Sequence, residues 1–421
     1  MSRNNPIGKR HPVHRYIIII LVVLVVCISF FFYYSYIKQE KTTLKTHLNK
    51  YKKIIKSEQQ WLANIQLSNG ALPLRGKDDG IARIVPYFSS ITAIALLQEP
   101  DIKHVNAVTE YFDWYYSHLN DVQSDINGIA GTIFDYSAEI SDGAVKLEKT
   151  EKKYDSIDSY AAVFLMAQWE FYKQTDKGEY LIAHYPEILY IIEAMNATID
   201  QDGLSYAKPD YKIKYLMDNT EVYQGLSCAI NLFDQVFLNQ YQKGTNEYSE
   251  AEKMLKRLQQ NKDQIERGIQ TILWNEDLQR YEIGLDTFGT ILKFDGWTEF
   301  YPDSVAQLFP ILFRIIEPES KRARDLYQTF CQYYNWADLE HYENGEENFY
   351  WGLVAYCGAL MGDEEKVTRY LNYYIKNVMP DHNYPAYNAD VAWVVLACSK
   401  MVTYYEQQIK FIDPLGIVSL K

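Results

Sequence analysis

The chain has 421 residues, of which 48% are hydrophobic and 15% aromatic, and its formal net charge is −13. This length buries a full core without disulfides or metal ions, and the hydrophobic content excludes a disordered protein. The acidic balance excludes broad nucleic-acid binding, which needs a basic surface. Residues 1–38 hold five basic side chains and no acid, so the rest of the chain carries −18. The 37 tyrosines suit either an aromatic core or a surface that stacks on flat ligands.

The N-terminal region contains an uncharged run of 20 residues, from Ile17 to Tyr36, which is long enough to cross a bilayer core of about 30 Å. Its C-terminal end consists of phenylalanines and tyrosines instead of a small-residue cleavage site, so we expect an uncleaved signal-anchor. The predicted divisions are a basic cytoplasmic tail (1–16), a transmembrane helix (17–37), a stalk (38–54) and a large extracytoplasmic domain (55–421). The predicted location is therefore the cell membrane, crossed once.

After the anchor, apolar helices alternate with charged amphipathic helices. The predicted apolar helices are Tyr87–Leu97, Ser156–Tyr172, Glu221–Phe237, Asp303–Ile315, Phe349–Met361 and Asp390–Tyr404. The predicted amphipathic helices are Val105–Leu119, Tyr180–Ile199, Glu250–Leu273, Glu319–Tyr334 and Glu364–Val378. Six such units favour an all-α fold, a closed (α/α)6 toroid, over an open α-solenoid with the same alternation.

Each apolar helix opens with a cluster of polar and aromatic residues, such as YDSIDSYAAVFL or DNTEVYQGLSCAINL. In a closed ring of hairpins, all six openings fall at one end, so we expect these clusters to meet there. Turn residues also follow three outer helices, in QLSNGAL, IDQDGLSY and LWNEDLQRY. These three segments predict short hairpins.

The densest acidic cluster contains Asp155 and Asp158, which share one face at the start of a helix because they are three residues apart. Asp218 and Glu221 repeat this spacing at the next apolar helix. The alternative in each case is plain helix capping, by an N-cap residue in the first cluster and by a capping box in the second. One acid satisfies a cap, whereas two acids beside tyrosines exceed its needs.

A third cluster combines Trp297, Glu299 and Asp303 just before another apolar helix, where Pro302 also suits an ordinary helix start. The remaining candidates open other apolar helices, and aromatic residues in such positions are often simply core. They are Arg83, Tyr87, Tyr350, Trp351 and Tyr387. We expect Arg83 to pair with one of the acids in these clusters and to lower its pKa.

Several catalytic signatures are missing, among them GxSxG, HExxH, GxGxxG and GxxxxGK[ST]. The cysteines lack CxxC spacing, and the histidines of the body form no ligand-like pair, so no metal and no cofactor is expected. Carboxylates between aromatic walls suit a sugar chain, because rings stack on pyranose faces and carboxylates accept hydroxyl hydrogens. Glycoside hydrolysis needs two carboxyl groups, one protonated and one ionised.

With these residues in view, residues 55–405 resemble the six-hairpin glycosidase superfamily, the (α/α)6 barrels. The resemblance rests on the sixfold alternation and on WLANIQLSNGAL, YDSIDSYAAVFLMAQWEFY and LWNEDLQRYEIG. The second segment is similar to the Asp-rich helix opening of glycoside hydrolase family 8, whose members invert configuration. The resemblance implies an extracellular hydrolase of a polysaccharide or oligosaccharide, and membrane anchoring fits a partnership with exopolysaccharide synthesis or export proteins.

One departure from family 8 concerns its general-acid glutamate, which opens an early inner helix. The corresponding run here, RIVPYFSSITAIALL, contains no glutamate, and Arg83 and Tyr87 stand there instead. We therefore predict Glu221 as the general acid and Asp158 as the base. The other candidates would bind the sugar or tune the pKa values of this pair.

Two other function classes share the same features. A non-catalytic polysaccharide-binding component of an export system would need the ring and the aromatics, but no acid–base pair. A polysaccharide lyase would use a tyrosine or histidine base and cations that neutralise uronates. The net charge of −18 on the body disfavours the acidic substrate of a lyase.

Overall fold

The computed structural model describes residues 12–76, 80–338, 351–383, 386–414 and 416. Its longer helices are α1 (Pro12–Asn64), α2 (Pro86–Leu96), α3 (Ile102–Ser117), α4 (Asp158–Thr175), α5 (Gly178–Ala183), α6 (Tyr185–Asn196), α7 (Leu216–Leu232), α8 (Asn246–Gly268), α9 (Phe309–Leu312), α10 (Lys321–Tyr333), α11 (Trp351–Leu360), α12 (Glu364–Asn377) and α13 (Asn388–Ile412). Short strands are β1 (Gly80–Ile84), β2 (Tyr136–Ser141), β3 (Ala144–Thr150), β4 (Lys214–Tyr215), β5 (Trp274–Asn275), β6 (Arg280–Tyr281), β7 (Gly284–Leu285) and β8 (Ile291–Leu292).

The predicted alternation of buried and amphipathic helices is confirmed. Helix α4 is buried continuously over its first eleven residues, from Asp158 to Gln168, so it packs on all sides. Helix α8 instead buries only a narrow stripe, which includes Ala251, Leu258 and Ile265 at intervals of seven residues. Such a stripe turns one face to the core and leaves the charged remainder in water.

The fourth predicted apolar helix, Asp303–Ile315, is wrong as a continuous element. The chain forms a single π-helical turn at Phe300–Ser304 and a short helix, α9, further on. Proline lacks the backbone N–H that a helix interior requires. Pro302 and Pro310 both fall in this region, and they account for the interruption.

A three-stranded antiparallel sheet, in the order β1–β2–β3, was not predicted. Its β2–β3 hairpin turns at Asp142 and Gly143, both with positive φ, which is the backbone that an Asp-Gly hairpin turn requires. In the register of β1 with β2, Arg83 lies opposite Ser137 and Ile84 opposite Tyr136. The sheet therefore presents Arg83 beside the residues that immediately precede β2.

The three predicted hairpins are all present. Leu67 and Ala71 pair through a backbone hydrogen bond of 2.9 Å, and Ile199 forms an antiparallel bridge with Ser205. Strands β5 and β6 form the third hairpin. Each follows an outer helix or the end of α1 and returns the chain towards the next apolar segment.

Helices α4 and α7 approach each other closely because Gly225 faces Ala162. A Cβ at Gly225 would lie 2.6 Å from the Cα and 2.7 Å from the Cβ of Ala162. These two helices carry Asp158, Asp218 and Glu221 near their first turns. The absence of a side chain at Gly225 thus brings the two acidic clusters together.

We expect Gly225→Ala to lower the free energy of unfolding by about 1–3 kcal/mol, because overpacking forces the helix backbones apart. Gly178→Ala is the matched control, since a Cβ there would meet its nearest atom, in Tyr172, at 3.4 Å, close to ordinary contact. Urea denaturation of the full chain in detergent, monitored by tryptophan fluorescence, measures the free energy of unfolding of both variants. Equal stability of the two variants would contradict this account of the α4–α7 contact.

The chain divides into two compact units, residues 1–52 with 401–421 and residues 53–400. In the first unit, the side chains from Ile17 to Val26 are all exposed, and the described part of this helix is long and apolar enough to cross a membrane. Within the same unit, Lys41 Nζ donates to Asp413 Oδ2 at 2.6 Å. The division into tail, anchor, stalk and domain, and the side of the membrane, stay predictions.

Candidate functional site

One cavity in the second unit, with a volume of about 550 Å³, receives side chains from all six predicted helix openings. The predicted convergence of these openings is thereby confirmed. Its walls are both acidic and aromatic. The lining residues that matter below are Arg83, Tyr87, Asp135, Tyr154, Asp155, Ser159, Tyr160, Asp218, Glu221, Tyr301, Leu353, Tyr387 and Trp393.

Glu221 lies in the second turn of α7 with only 2% of its surface exposed, and it lines the cavity. The Tyr87 hydroxyl, from the start of α2, donates to Glu221 Oε1 at 2.5 Å. Burial and the charge of Asp218 raise the pKa of Glu221 to about 8, although the hydrogen bond from Tyr87 opposes the shift. Glu221 is therefore a protonated acid at neutral pH.

Asp158, the predicted base, is completely buried and is not among the side chains that line the cavity. Its Oδ2 accepts a hydrogen bond from the Ser205 hydroxyl at 2.8 Å, and its Oδ1 accepts one from the Ser159 N–H at 2.8 Å. Burial raises the pKa of Asp158 to about 7, against the effect of these hydrogen bonds and together with the charge of Glu221. This environment suits a group that shifts the pKa values of neighbouring acids.

Asp218 lines the cavity in the first turn of α7. Burial raises its pKa well above the usual value, and the charges of Asp158 and Asp155 add to the rise. The acids of the two predicted clusters thus act on one another. Because like charges raise each other's pKa values, ionisation of one acid disfavours ionisation of the others.

Asp135 is a cavity residue that the sequence reasoning missed. It precedes β2, and the Tyr160 hydroxyl donates to its Oδ1 at 2.9 Å. Burial raises the pKa of Asp135 to about 6, whereas the hydrogen bond from Tyr160 and the charge of Arg83 lower it. Asp135 is therefore mostly ionised at pH 7. The one available signal was the Asp-Gly hairpin that follows it, which marks a strand at this point.

Arg83 was expected to pair with an acid of the predicted clusters, and this expectation is wrong. Its Nη2 lies 3.9 Å from Asp135 Oδ2, and 70% of its side chain is exposed. The reason is the unpredicted sheet, in which β1 carries Arg83 alongside the start of β2. The direction of the effect holds, because Arg83 does lower the pKa of its partner.

The remaining predicted residues fall into three groups. Asp155 and Tyr387 line the cavity, and Asp155 is exposed there. Trp297 and Glu299 do not line it, and neither does Asp303, whose carboxylate accepts the N–H of Asp295 in a local turn. Tyr350 and the side chain of Trp351 lie outside the described part of the chain.

Two cavity carboxyls are thus held in opposite protonation states around neutral pH. Glu221 and Asp135 each bind a different tyrosine, Tyr87 and Tyr160, whose ring centroids are 6.1 Å apart. Widely split pKa values in one site are the usual requirement for acid–base catalysis by two carboxyl groups. Among the described residues, no group of three or more His, Cys, Asp or Glu side chains is placed to hold a metal ion.

The buried acids predict how stability depends on pH. Because the folded state raises the pKa of Glu221 and Asp158, it binds protons that the unfolded chain releases, so their contribution to stability falls as pH rises from about 4 towards 8. Each pH unit in that range costs up to about 1.4 kcal/mol per group.

Gln at position 221 cannot ionise. We therefore expect the Tm of Glu221→Gln to match the wild type near pH 5 and to exceed it increasingly towards pH 8.5. A difference in Tm that stays constant with pH would contradict the raised pKa of Glu221.

Three solved glycosidase structures share this fold. A glycosidase with a glutamate-to-alanine substitution aligns with a TM-score of 0.52 over 86% of this chain and 97% of its own, at 12% identity. A glutamate-to-alanine glycosidase in complex with glucose gives 0.51 with the same coverage and identity. The GH63 mannosylglycerate hydrolase from Thermus thermophilus, in complex with glucose, gives 0.52 over 82% of this chain and 99% of its own, at 8% identity.

At these identities the likeness establishes the fold alone. The chain shares the fold of these glycosidase structures, and the predicted all-α (α/α)6 fold class is confirmed. The closer resemblance to family 8 stays a prediction. No protein-family model matches the chain, and no curated protein sequence matches it.

Proposed function

We propose that this protein is a membrane-anchored, extracytoplasmic glycoside hydrolase that cleaves a polysaccharide or oligosaccharide by carboxylate acid–base catalysis. The observation that carries the proposal is the pairing, in one aromatic-walled cavity, of a protonated Glu221 with an ionised Asp135. The glycosidase fold supports it, and the apolar helix from Tyr16 onwards supports the anchor.

In the proposed reaction, Glu221 donates its proton to the glycosidic oxygen as the bond to the anomeric carbon breaks. Asp135 removes a proton from a water molecule that attacks the anomeric carbon from the opposite face. Asp135 takes the role predicted for Asp158, because the Asp158 carboxylate is completely buried and accepts hydrogen bonds from the Ser159 N–H and the Ser205 hydroxyl. After the product leaves, Asp135 releases to solvent the proton that it took from water, and Glu221 regains one from solvent.

We further propose that the reaction inverts configuration. Inverting enzymes separate their two carboxyls by roughly 6.5–9.5 Å to admit water, whereas retaining enzymes hold them about 5–5.5 Å apart. Here the two carboxyls are anchored by different tyrosines on different helices, Tyr87 on α2 and Tyr160 on α4. The two carboxyls therefore bind separate tyrosines and not each other, as a water molecule between them requires.

The test is a product screen of the full chain in detergent against α-glucan, β-glucan, α-mannan, xylan and hyaluronan. We expect new reducing ends from at least one glycan, and NMR of the first products shows their anomeric configuration. Products that absorb at the wavelength of an unsaturated uronate would identify a lyase instead. Binding without any product would identify a polysaccharide-binding component, and either outcome overturns the proposed hydrolysis.

A further inference from the structure

Three tyrosines form a surface that continues from the acidic wall of the cavity. Tyr301 lines the cavity and is 42% exposed, and Tyr211 is also 42% exposed. The hydroxyls of Tyr211 and Tyr215 lie 2.9 Å apart and share a hydrogen bond. We call Tyr211, Tyr215 and Tyr301 the tyrosine ledge.

The ledge is tied to the catalytic helix by the chain itself. Tyr215 is the last residue of β4 and directly precedes α7, so it stands three residues before Asp218 and six before Glu221. Burial raises the pKa of the Tyr215 hydroxyl, and Tyr211, Asp218 and Tyr301 each add to the rise. The hydroxyl of Tyr215 is therefore near enough to Asp218 and to Tyr301 for their charges to act on it.

Tyr211 and Tyr301 keep apolar ring area in water, and the half-buried Tyr215 is joined to Tyr211 through its hydroxyl. Tyrosine faces bury large flat area against a ligand, while their hydroxyls need hydrogen-bond partners. A pyranose ring offers both an apolar face and a rim of hydroxyl groups. A purely apolar partner would offer no hydrogen bond to the hydroxyls of Tyr211 and Tyr215.

We propose that the tyrosine ledge is a glycan subsite that holds sugar units beyond those inside the cavity, so the protein prefers long chains over short oligosaccharides. The inference rests on the proposed function for the nature of the ligand. It goes beyond it by assigning a polymer as the substrate and by naming the residues that select for chain length.

The experiment measures binding separately from cleavage. Full-length Glu221→Gln in detergent, which cannot donate the acid proton, is run by affinity electrophoresis in gels containing each glycan of the panel. On that background we compare Tyr211→Ala and Tyr301→Ala with Tyr211→Phe, which keeps the ring, and with Tyr190→Ala, a 55% exposed tyrosine on α6 outside the cavity lining.

We expect each ledge alanine variant to bind the retarding polymer roughly tenfold more weakly, and Tyr211→Ala to bind a trisaccharide of the same linkage less than twofold more weakly. Tyr190→Ala should bind like the background variant, and Tyr211→Phe, which keeps the ring but loses one hydroxyl, should fall between the background and Tyr211→Ala. Equal polymer affinity in all variants, or no retardation by any glycan, would overturn the ledge. A thermal melt identifies a ledge variant that has lost its fold, and Tyr211→Ala, at an exposed position, then decides the question.

The two proposals fail in different ways. If the wild type cleaves a glycan but the ledge variants keep its chain-length preference, the proposed subsite is wrong and the proposed hydrolase activity stands. If the polymer is bound through the ledge but wild type releases no product, hydrolysis is wrong and the ledge survives.

Discussion

Replacing Glu221 by Gln should lower kcat on the cleaved glycan by about 10²- to 10⁴-fold, the usual contribution of a positioned general acid. Gln keeps the volume of the side chain and can still accept the hydrogen bond that the Tyr87 hydroxyl donates to Glu221. The substitution therefore removes the transferable proton without opening the site. Because substrate contacts remain, we expect KM to change far less than kcat.

The matched control for this variant is Glu299→Gln. Glu299 was also predicted as a site residue, but it is exposed and lies off the cavity lining. Its substitution should leave kcat within twofold of wild type. Glycan hydrolysis by Glu221→Gln at the wild-type rate would remove Glu221 from the mechanism.

The second large effect concerns Asp135, where substitution by Asn should also lower kcat by about 10²- to 10⁴-fold. Asn still accepts the hydrogen bond from the Tyr160 hydroxyl, but it cannot take a proton from water. It also loses its attraction to Arg83, a minor change because the two groups are 3.9 Å apart and 70% of the Arg83 side chain is exposed. The expected loss is therefore chemical rather than structural.

Asp142→Asn provides the comparison, since Asp142 occupies the exposed β2–β3 turn with φ +53°, a conformation that asparagine tolerates. It should retain wild-type activity and stability. If Asp135→Asn is active while Asp155→Asn is not, the base is Asp155, an exposed acid that lines the same cavity.

Helix periodicity made most of the fold predictable. The apolar stretches buried on all sides and the amphipathic stretches between them differ clearly in pattern, as α4 and α8 illustrate. The six openings were predicted to meet because inner helices of a ring start at the same end, and their residues line one cavity. Glu221 was found in this way, from its place in an opening.

The site residues that were missed follow from contacts across the chain. Asp135 belongs to no helix opening, and only the pairing of β1 with β2 brings it beside Arg83. The burial of Asp158 depends on Ser205, 47 residues later, which no local pattern connects to it. Spacing placed Asp155 and Asp158 together but did not distinguish the exposed acid from the buried one.

The predicted residues of the third cluster do not line the cavity, for a related reason. Trp297, Glu299 and Asp303 precede a segment that two prolines break, so this opening lacks the regular helix start found at α4 and α7. Tyr301 takes its place on the cavity wall. Pro302 was visible in the sequence, but it was interpreted only as a helix start.

The central claim is that Glu221 and Asp135 act as acid and base, and the pH dependence of kcat/KM tests it most directly. Asp135 must be ionised, which requires a pH above about 6, and Glu221 must be protonated, which requires a pH below about 8. The account predicts a bell-shaped profile for the wild-type full chain, with limbs near these two values, and loss of the acidic limb in the residual activity of Asp135→Asn. A wild-type profile that is flat from pH 5 to pH 9 would contradict it.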